Sequence, residues 1–252
     1  MSVLEQLLLS FLHADARGAC LPDTLGNCLI TGPCRSRLHV LAATFAINEI
    51  SGGTEKEVLF LSKKGALDGS APVLPQGIPA THPKLARVKL RHLQSSTELQ
   101  QYASCLHLLP TLPAAIIVVG ISDFFSRSGV QEDRRTAECM LAKTLALLVN
   151  GVESIRGMSR TQCPLLVTEE LPAPSSLAPN DDSRFTAKSL FILKRWLPLV
   201  LEVTESRGHQ GNLCYALSLH PLSAVPDGVP AELLGMRANY VLHDTLEVIS
   251  VS

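Results

Sequence analysis

The chain has 252 residues, a formal net charge of −1, and 46% hydrophobic against 18% charged residues. This length suits one sizeable α/β domain, and the composition excludes an intrinsically disordered chain. Because the net charge is close to zero, nucleic-acid binding would have to come from a local basic patch. The seven cysteines are an odd number without a C-x-x-C pair, which favours neither a disulfide framework nor a zinc site and indicates a reduced, intracellular compartment.

Residues 1–25 are expected to form an amphipathic helix and its lead-in, and residues 26–252 a single domain. The apolar positions of the helix follow one face, at Leu4, Leu7, Leu8, Phe11 and Leu12. No Lys or Arg precedes this apolar run, so the segment does not match a secretory signal. We expect the helix to pack on its own domain, and docking on a partner is the alternative.

Apolar runs alternate with helix-spaced segments through most of the chain. Five runs bounded by turn residues predict buried strands, at 28–31, 58–62, 114–119, 164–168 and 197–204. Three segments between them predict helices, at 36–50, 97–109 and 132–150. Ser96 or Thr97 is the expected N-cap of the second helix, with Glu98 in its first turn. This βαβ alternation predicts a mostly parallel sheet flanked by helices.

The pattern changes towards the C-terminus. Shorter alternating strands are predicted at 213–219, 238–242 and 246–251, with a hairpin turn at 243–245. These strands are expected to be antiparallel and to extend one sheet edge. Three stretches rich in Gly, Pro and polar residues predict loops, at 63–83, 171–184 and 221–230.

The stretch "LITGPCRSRLH" follows the first strand, where a phosphate-binding loop would lie. Such a loop has the pattern G-x-x-x-x-G-K-[ST], in which the glycines admit the phosphates, the lysine neutralises them and the hydroxyl holds Mg²⁺. Here Gly32 matches, but Arg37, Leu38 and His39 replace the second glycine, the lysine and the Ser/Thr. Arg35 or Arg37 could supply the missing positive charge. The residues alone favour a strand–turn–helix scaffold over a nucleotide site.

The run "AAIIVV" predicts the strand whose end would carry an acid that orients Mg²⁺. It ends at Val119, and no acid follows before Asp123. Asp123 is either a displaced magnesium ligand or a residue that caps or turns the chain, and the second reading is favoured. Because both elements lack their chemical groups, we do not expect nucleotide hydrolysis by the usual route. No histidine pairing or nucleophile elbow supports metal or covalent catalysis.

Two basic segments are candidate nucleic-acid contacts. The first, 126–135, contains Arg127, Arg134 and Arg135 next to aromatic residues that could stack on a base. The alternative, favoured by the residues alone, is a solvated loop whose Glu132 and Asp133 cap the next helix. The second is "KLARVKLRH", predicted as a strand with a solvated basic face, which carries Lys84, Arg87, Lys89 and Arg91.

In their order and spacing, the segments "CLITGPCRSRLHVLAATFAINEI", "VLFLSKK", "PAAIIVVGISDFF", "RTQCPLLVTEE" and "ILKRWLPLVLEV" resemble the RecA-like recombinase paralogues, most closely their SWIM-domain-associated members. The resemblance implies a RecA-like P-loop NTPase core, with a mostly parallel sheet flanked by helices and antiparallel C-terminal edge strands. It also implies an accessory role in homologous recombination DNA repair in the nucleus. The implied partners are single-stranded DNA, a small zinc-binding SWIM-domain protein and the RecA-like recombinase whose filament is assembled.

Through the same resemblance, specific residues gain expected roles. The DNA-contacting loop would be 126–135, with Arg127, Arg134 and Arg135, and a second DNA loop would be 171–184, which is acidic at residues 181–182. Family members are DNA-stimulated ATPases that use ATP and Mg²⁺. The degenerate nucleotide site would comprise Gly32, Arg35 and Arg37, with Asp123 at the magnesium, and the ATPase activity is implied by the family alone.

The third functional possibility is a pure interaction module, which stabilises its partner and binds neither DNA nor nucleotide. The surfaces expected to meet the SWIM-domain protein are the apolar N-terminal helix and the exposed C-terminal edge of the sheet.

Overall fold

The structure is a computed structural model. It describes residues 8, 11, 26–33, 36–51, 56–67, 74–75, 78–125, 134–159, 162–171, 187–207, 213–220, 237–242 and 245–251. The strands are β1 (Asn27–Pro33), β2 (Val58–Lys63), β3 (Leu74–Pro75), β4 (Val88–Leu93), β5 (Ala115–Val119), β6 (Leu165–Leu171), β7 (Leu199–Arg207), β8 (Leu213–Leu219), β9 (Arg237–Leu242) and β10 (Thr245–Val251). The helices are α1 (Leu38–Ser51), α2 (Ser96–Ser104), α3 (Arg134–Ser159) and α4 (Ala187–Trp196), with 3₁₀ turns at Pro83–Arg87, Leu106–Leu108 and Ile121–Phe124.

The strands form one ten-stranded sheet in the order β3-β10-β9-β8-β7-β1-β6-β5-β2-β4. The six strands from β7 to β4 in this order are parallel, and β1 lies between β6 and β7, with Cys28 opposite Leu166 and Leu199. The strands β7, β8, β9 and β10 pair antiparallel. This confirms the predicted parallel sheet with antiparallel C-terminal strands. The prediction that the C-terminal strands form an exposed edge of the sheet is partly wrong, because β3 pairs with the start of β10 and covers that part of it.

Helices cover both faces of the parallel strands. On one face α1 packs in a buried core that includes Ile30, Phe45 and Leu201, and on the other α2, α3 and α4 pack in a second core that includes Leu29, Leu145 and Leu193. Successive residues of β1 therefore serve opposite cores, as the alternation of side chains along a strand requires. The buried strands read as continuous apolar runs for this reason.

Two residues of the N-terminal segment are described, and both belong to the first core. Leu8 and Phe11 are fully buried, and the Phe11 ring stacks on that of Phe45 with 4.9 Å between the ring centroids. The expectation that this segment packs on its own domain is confirmed at these two residues. Their side chains are therefore not available as a docking surface for a partner.

The cap of α2 differs from the prediction. Ser95, not Ser96 or Thr97, is the N-cap, and its hydroxyl accepts the N–H of Glu98 at 3.2 Å. The Glu98 carboxylate in turn accepts the N–H of Gln94 at 2.6 Å. Three consecutive hydroxyl residues offer three possible caps, but only Ser95 places Glu98 three residues further on, where both bonds form.

Two helix boundaries also differ. The second predicted helix ends at Ser104, with a 3₁₀ turn at Leu106–Leu108, and α3 continues beyond the predicted end to Ser159. The predicted capping of α3 by Glu132 and Asp133 lies outside the described residues, as does most of the predicted loop at 171–184 and all of that at 221–230. No helix in the described part of the chain is both long and apolar enough to cross a membrane.

Candidate functional site

The candidate site lies at the carboxyl edge of the parallel strands. There β1, β6 and β5 end side by side, because β6 pairs with both of its neighbours. Ligands of open α/β sheets bind outside the carboxyl ends of the strands. The turn after β1, the segment after β5 and the last residues of β6 are therefore the chain's candidates for functional groups.

The turn after β1 packs closely against the Cα atom of Gly32. A Cβ atom placed on Gly32 would lie 2.8 Å from Val203 Cβ, 2.9 Å from Ser36 Oγ and 3.1 Å from Leu38 Cδ2. The Ser36 hydroxyl is itself turned inward and donates to the Pro33 carbonyl at 2.6 Å, and the Ser36 residue is fully buried. A side chain at this position would therefore clash with its neighbours, so close packing by itself requires glycine at the one residue that matches the phosphate-loop pattern.

Residues 37–39 lack the side chains of a phosphate loop, although Arg37 has a backbone conformation that favours glycine. Arg37, at the second glycine position, has φ +48°, in the left-handed region that favours glycine, and its side chain is exposed. Leu38, at the lysine position, is fully buried in the first core. Burial, together with the charge of Arg37, lowers the pKa of His39, so this ring is neutral at neutral pH. The positions that should bind phosphate and metal carry a buried leucine and a half-buried neutral histidine.

The end of β5 is equally unlike a magnesium site. Val119 is buried in the first core. Gly120 follows in the left-handed region with φ +58°, and the Asp123 carboxylate folds back against it where a Cβ would be. The Asp123 N–H donates to the Gly120 carbonyl at 2.9 Å. Burial raises the pKa of Asp123, and the charge of Lys63 opposes the rise. These contacts support the turn-forming reading of Asp123.

The segment after β5 is also fixed by its neighbouring strands. The Lys63 ammonium, at the end of β2, donates to the Asp123 carbonyl at 2.5 Å. On the other side, the Thr168 hydroxyl of β6 accepts the Gly120 N–H at 3.0 Å. The segment Ile121–Phe124 is therefore held by both strands that flank β5.

Glu169 of β6 is a site residue that the sequence reading missed. It is 1% exposed, and its carboxylate accepts the Ser122 N–H at 3.1 Å. Burial raises its pKa to about 8, hydrogen bonds from Ser122 oppose the rise, and the nearby Asp123 and Glu170 charges add to it. The sequence feature that could have identified Glu169 is the pair of glutamates at the end of the apolar run "LLVTEE". A buried strand rarely ends in acidic residues unless they have a polar partner.

The described residues lack the groups with which a phosphate loop usually holds ATP and Mg²⁺. Leu38 supplies no charge, and Val119 supplies no acid. Within the described ranges no three His, Cys, Asp or Glu side chains form a group that could hold a metal ion. Arg35, one of the two proposed replacements for the lysine, lies outside those ranges, and the other, Arg37, is exposed.

The candidate DNA contacts are placed in part. Arg127 lies outside the described residues, Arg134 is the first residue of α3, and Arg135 follows it with an exposed side chain. In the chain, β5 precedes the first predicted DNA loop and β6 precedes the second, and these two strands are adjacent in the sheet. The loops themselves lie mostly outside the described residues.

The second basic segment differs from the prediction. Lys84 and Arg87 lie in a 3₁₀ turn and not on a strand, because Pro83 occupies its start and the ring of His82 accepts the Lys84 N–H at 3.2 Å. The other two cations lie on β4, where both are exposed. Lys89 forms an ion pair with Glu57 at 3.1 Å, and the Arg91 guanidinium lies 5.9 Å from the centroid of the Tyr102 ring.

Comparison with known proteins identifies the fold. No protein-family model matches the chain, and no curated protein matches it in sequence. Among solved structures, the flagellar accessory protein FlaH from Methanocaldococcus jannaschii is similar, with a TM-score of 0.51 and 10% sequence identity over 90% of this chain and 89% of that chain. At this identity the likeness shows the fold alone. With the strand order above, it shows that the chain has the RecA-like fold, the fold of the RecA-like ATPases.

Proposed function

We propose that this chain is an accessory factor of homologous recombination in the nucleus, which acts as a RecA-like scaffold and does not turn over nucleotide. In this proposal it binds single-stranded DNA through residues 126–135 and a small zinc-binding SWIM-domain protein, and the complex supports the filament of a RecA-like recombinase. The sequence resemblance to the SWIM-associated recombinase paralogues supports the choice of partners. The RecA-like fold is consistent with it.

The observation that carries the proposal is the replacement of the phosphate-binding side chains in the turn after β1. The strand–turn–helix is retained, since β1 and α1 are central to the sheet and to the first core. The phosphate-binding groups are replaced, since a buried, uncharged Leu38 stands at the lysine position and His39 at the Ser/Thr position. A scaffold requires the fold and does not require these groups. The rival proposal, a DNA-stimulated ATPase with a non-standard loop, needs Arg35 or Arg37 to replace the lysine.

Salt-dependent DNA binding tests the role of residues 126–135. Each lost phosphate contact lowers the slope of log affinity against log salt by about 0.7 on single-stranded DNA. The variant Arg127→Ala with Arg134→Ala should therefore bind a fluorescent oligonucleotide more weakly, with a slope lower by about 1.4 if both residues contact phosphates.

The matched control removes two cations that already have other partners. Lys89→Ala with Arg91→Ala lowers the net charge by the same amount on β4, where Glu57 and Tyr102 engage these side chains. The control should keep the wild-type slope. If the two double variants lower the slope equally, or if only the control does, residues 126–135 are not the DNA site.

Partner binding is tested by co-expression with the SWIM-domain protein of the same organism and size-exclusion chromatography at moderate and high salt. One stable peak at both salts supports the proposal. A folded chain that elutes alone contradicts the partner assignment. A stable complex that binds no DNA at near-physiological salt would instead favour the pure interaction module.

A further inference from the structure

The outward face of α4 carries an exposed aromatic ring that the site described above does not use. Phe191 is 66% exposed, whereas Ser189 and Leu193, two residues away on either side, are buried. In the described part of the chain, the Phe191 ring makes no contact with another aromatic ring or with a cation. The helix therefore presents a flat aromatic surface to solvent.

The same helix carries positive charge close to this ring. Arg195 is exposed and follows Phe191 by four residues, so the two side chains are neighbours on the helix surface. Within the described ranges Arg195 forms neither an ion pair nor a hydrogen bond. The Lys194 ammonium lies 3.0 Å from Nε2 of His220 and has no carboxylate partner among the described residues. Described acidic side chains therefore leave both cations unpaired.

The charge of α4 sets it apart from the other described helices. Its ten residues include Lys188, Lys194 and Arg195 and no acidic residue, whereas α1, α2 and α3 each contain at least one glutamate. Single exposed apolar side chains are common on protein surfaces. The other highly exposed large apolar residues in the described ranges are not aromatic, and they are Leu90, Leu108 and Met158. An exposed ring one turn from an arginine suits a ligand that has both a flat aromatic group and a negative charge.

We propose that the face of α4 formed by Phe191, Lys194 and Arg195 contacts single-stranded DNA, with an unpaired base stacked on the Phe191 ring and a phosphate at Arg195. This inference rests on the proposed function, which supplies the ligand, and it adds a contact on a described helix. The helices α3 and α4 pack in the same core on one face of the sheet, and α3 carries the exposed Arg135. Single-stranded DNA is favoured over an acidic protein, because its bases stack on aromatic side chains while its phosphates need cations.

The affinity for a fluorescent oligothymidylate, measured across salt concentrations, separates the two roles. Phe191→Ala should bind about ten-fold more weakly with the wild-type salt slope, because stacking is lost and no cation is removed. Arg195→Ala should lower the slope of log affinity against log salt by about 0.7, and Arg195→Lys should restore it.

The matched control for Phe191→Ala is Leu108→Ala, which removes an apolar side chain that is 69% exposed and lies away from α4, before β5. The control should bind as the wild type does. Wild-type affinity in Phe191→Ala, or equal weakening in both variants, overturns the inference and leaves the proposed function intact.

A tryptophan moved to position 191 tests the stacking contact directly. Trp196 is the one tryptophan of the chain, so Phe191→Trp combined with Trp196→Phe places the single indole at the proposed contact. Saturating oligothymidylate should quench most of the emission of this double variant, because a stacked base quenches indole fluorescence. Unchanged emission at saturation overturns the inference.

Size-exclusion chromatography with the SWIM-domain protein distinguishes a DNA contact from a protein contact on this face. Phe191→Ala should co-elute with that protein as the wild type does. Loss of co-elution with unchanged DNA affinity would make the face a protein interface and overturn the inference. A wild-type chain that binds no DNA overturns the inference together with the DNA part of the proposed function.

Discussion

Restoring the missing lysine of the phosphate loop should damage this protein. Leu38→Lys returns the residue that the phosphate-loop pattern requires, at a position where the native side chain is fully buried in the first core. Removing a buried leucine forfeits about 1.5–3 kcal/mol of apolar burial. The lysine ammonium must then be desolvated or bend out to solvent, which costs several kcal/mol more before any relief from a lowered pKa.

The expected loss of unfolding free energy in Leu38→Lys is therefore at least about 3 kcal/mol, against a total of roughly 5–15 kcal/mol for a typical domain. Leu38→Met is the control, since it conserves volume and should cost less than about 1.5 kcal/mol. Urea denaturation followed by circular dichroism gives both values, and calorimetry with ATP and Mg²⁺ tests for gained binding. A Leu38→Lys variant that is as stable as the wild type and binds ATP would refute the reasoning, because it would show an open phosphate loop.

Two other predictions concern stability. Arg37 has φ +48°, in the region that favours glycine. The free energy of unfolding measured with urea should therefore be about 1 kcal/mol higher for Arg37→Gly than for Arg37→Ala. The reverse order would contradict a left-handed backbone at this residue. Burial raises the pKa of Glu169 from 4.5 to about 8, so the unfolded chain ionises first and stability falls as the pH rises from 5 to 8. The ionisation of Glu169 lowers the free energy of unfolding by at most about 1.4 kcal/mol per pH unit. Glu169→Gln lacks this ionisation, so its free energy of unfolding should rise relative to that of the wild type between pH 5 and pH 8. Glu49, whose pKa burial raises to about 7, gives the same trend in both proteins, and His39, with its lowered pKa, opposes it in both at the acidic end. Parallel urea midpoints for the two proteins would show that Glu169 does not titrate in this range.

Much of the fold could be predicted because the signals are local. Each buried strand of the parallel sheet is a short apolar run, so the positions of β1, β2 and β5 follow from hydrophobic pattern alone. The cap of α2 was misassigned by one residue, because Ser95, Ser96 and Thr97 have nearly equal capping ability and the Glu98 bond decides between them. Likewise Pro83 started a turn within a segment whose alternation predicted a strand.

The candidate site was harder to predict, because its decisive contacts join residues far apart in the chain. The pattern at Gly32 indicated lost chemistry, but the close packing against Gly32 depends on Val203, from a strand that no local signal connects to it. The bond between Ser122 and Glu169 depends on β5 and β6 being neighbours, which strand order determines and hydrophobic periodicity does not. Substitutions at such contacts report on the three-dimensional site directly.

Calorimetric titration of the wild-type chain with ATP and Mg²⁺, alone and together with the proposed SWIM-domain partner, tests the central claim most directly. We expect no saturable heat at millimolar ATP in either preparation, since a buried Leu38 replaces the phosphate-binding lysine and His39 replaces the Ser/Thr. Saturable binding that disappears in Arg35→Ala or Arg37→Ala would contradict the claim, because it would show that an arginine replaces the lysine and that the chain is a nucleotide-binding member of the RecA-like fold.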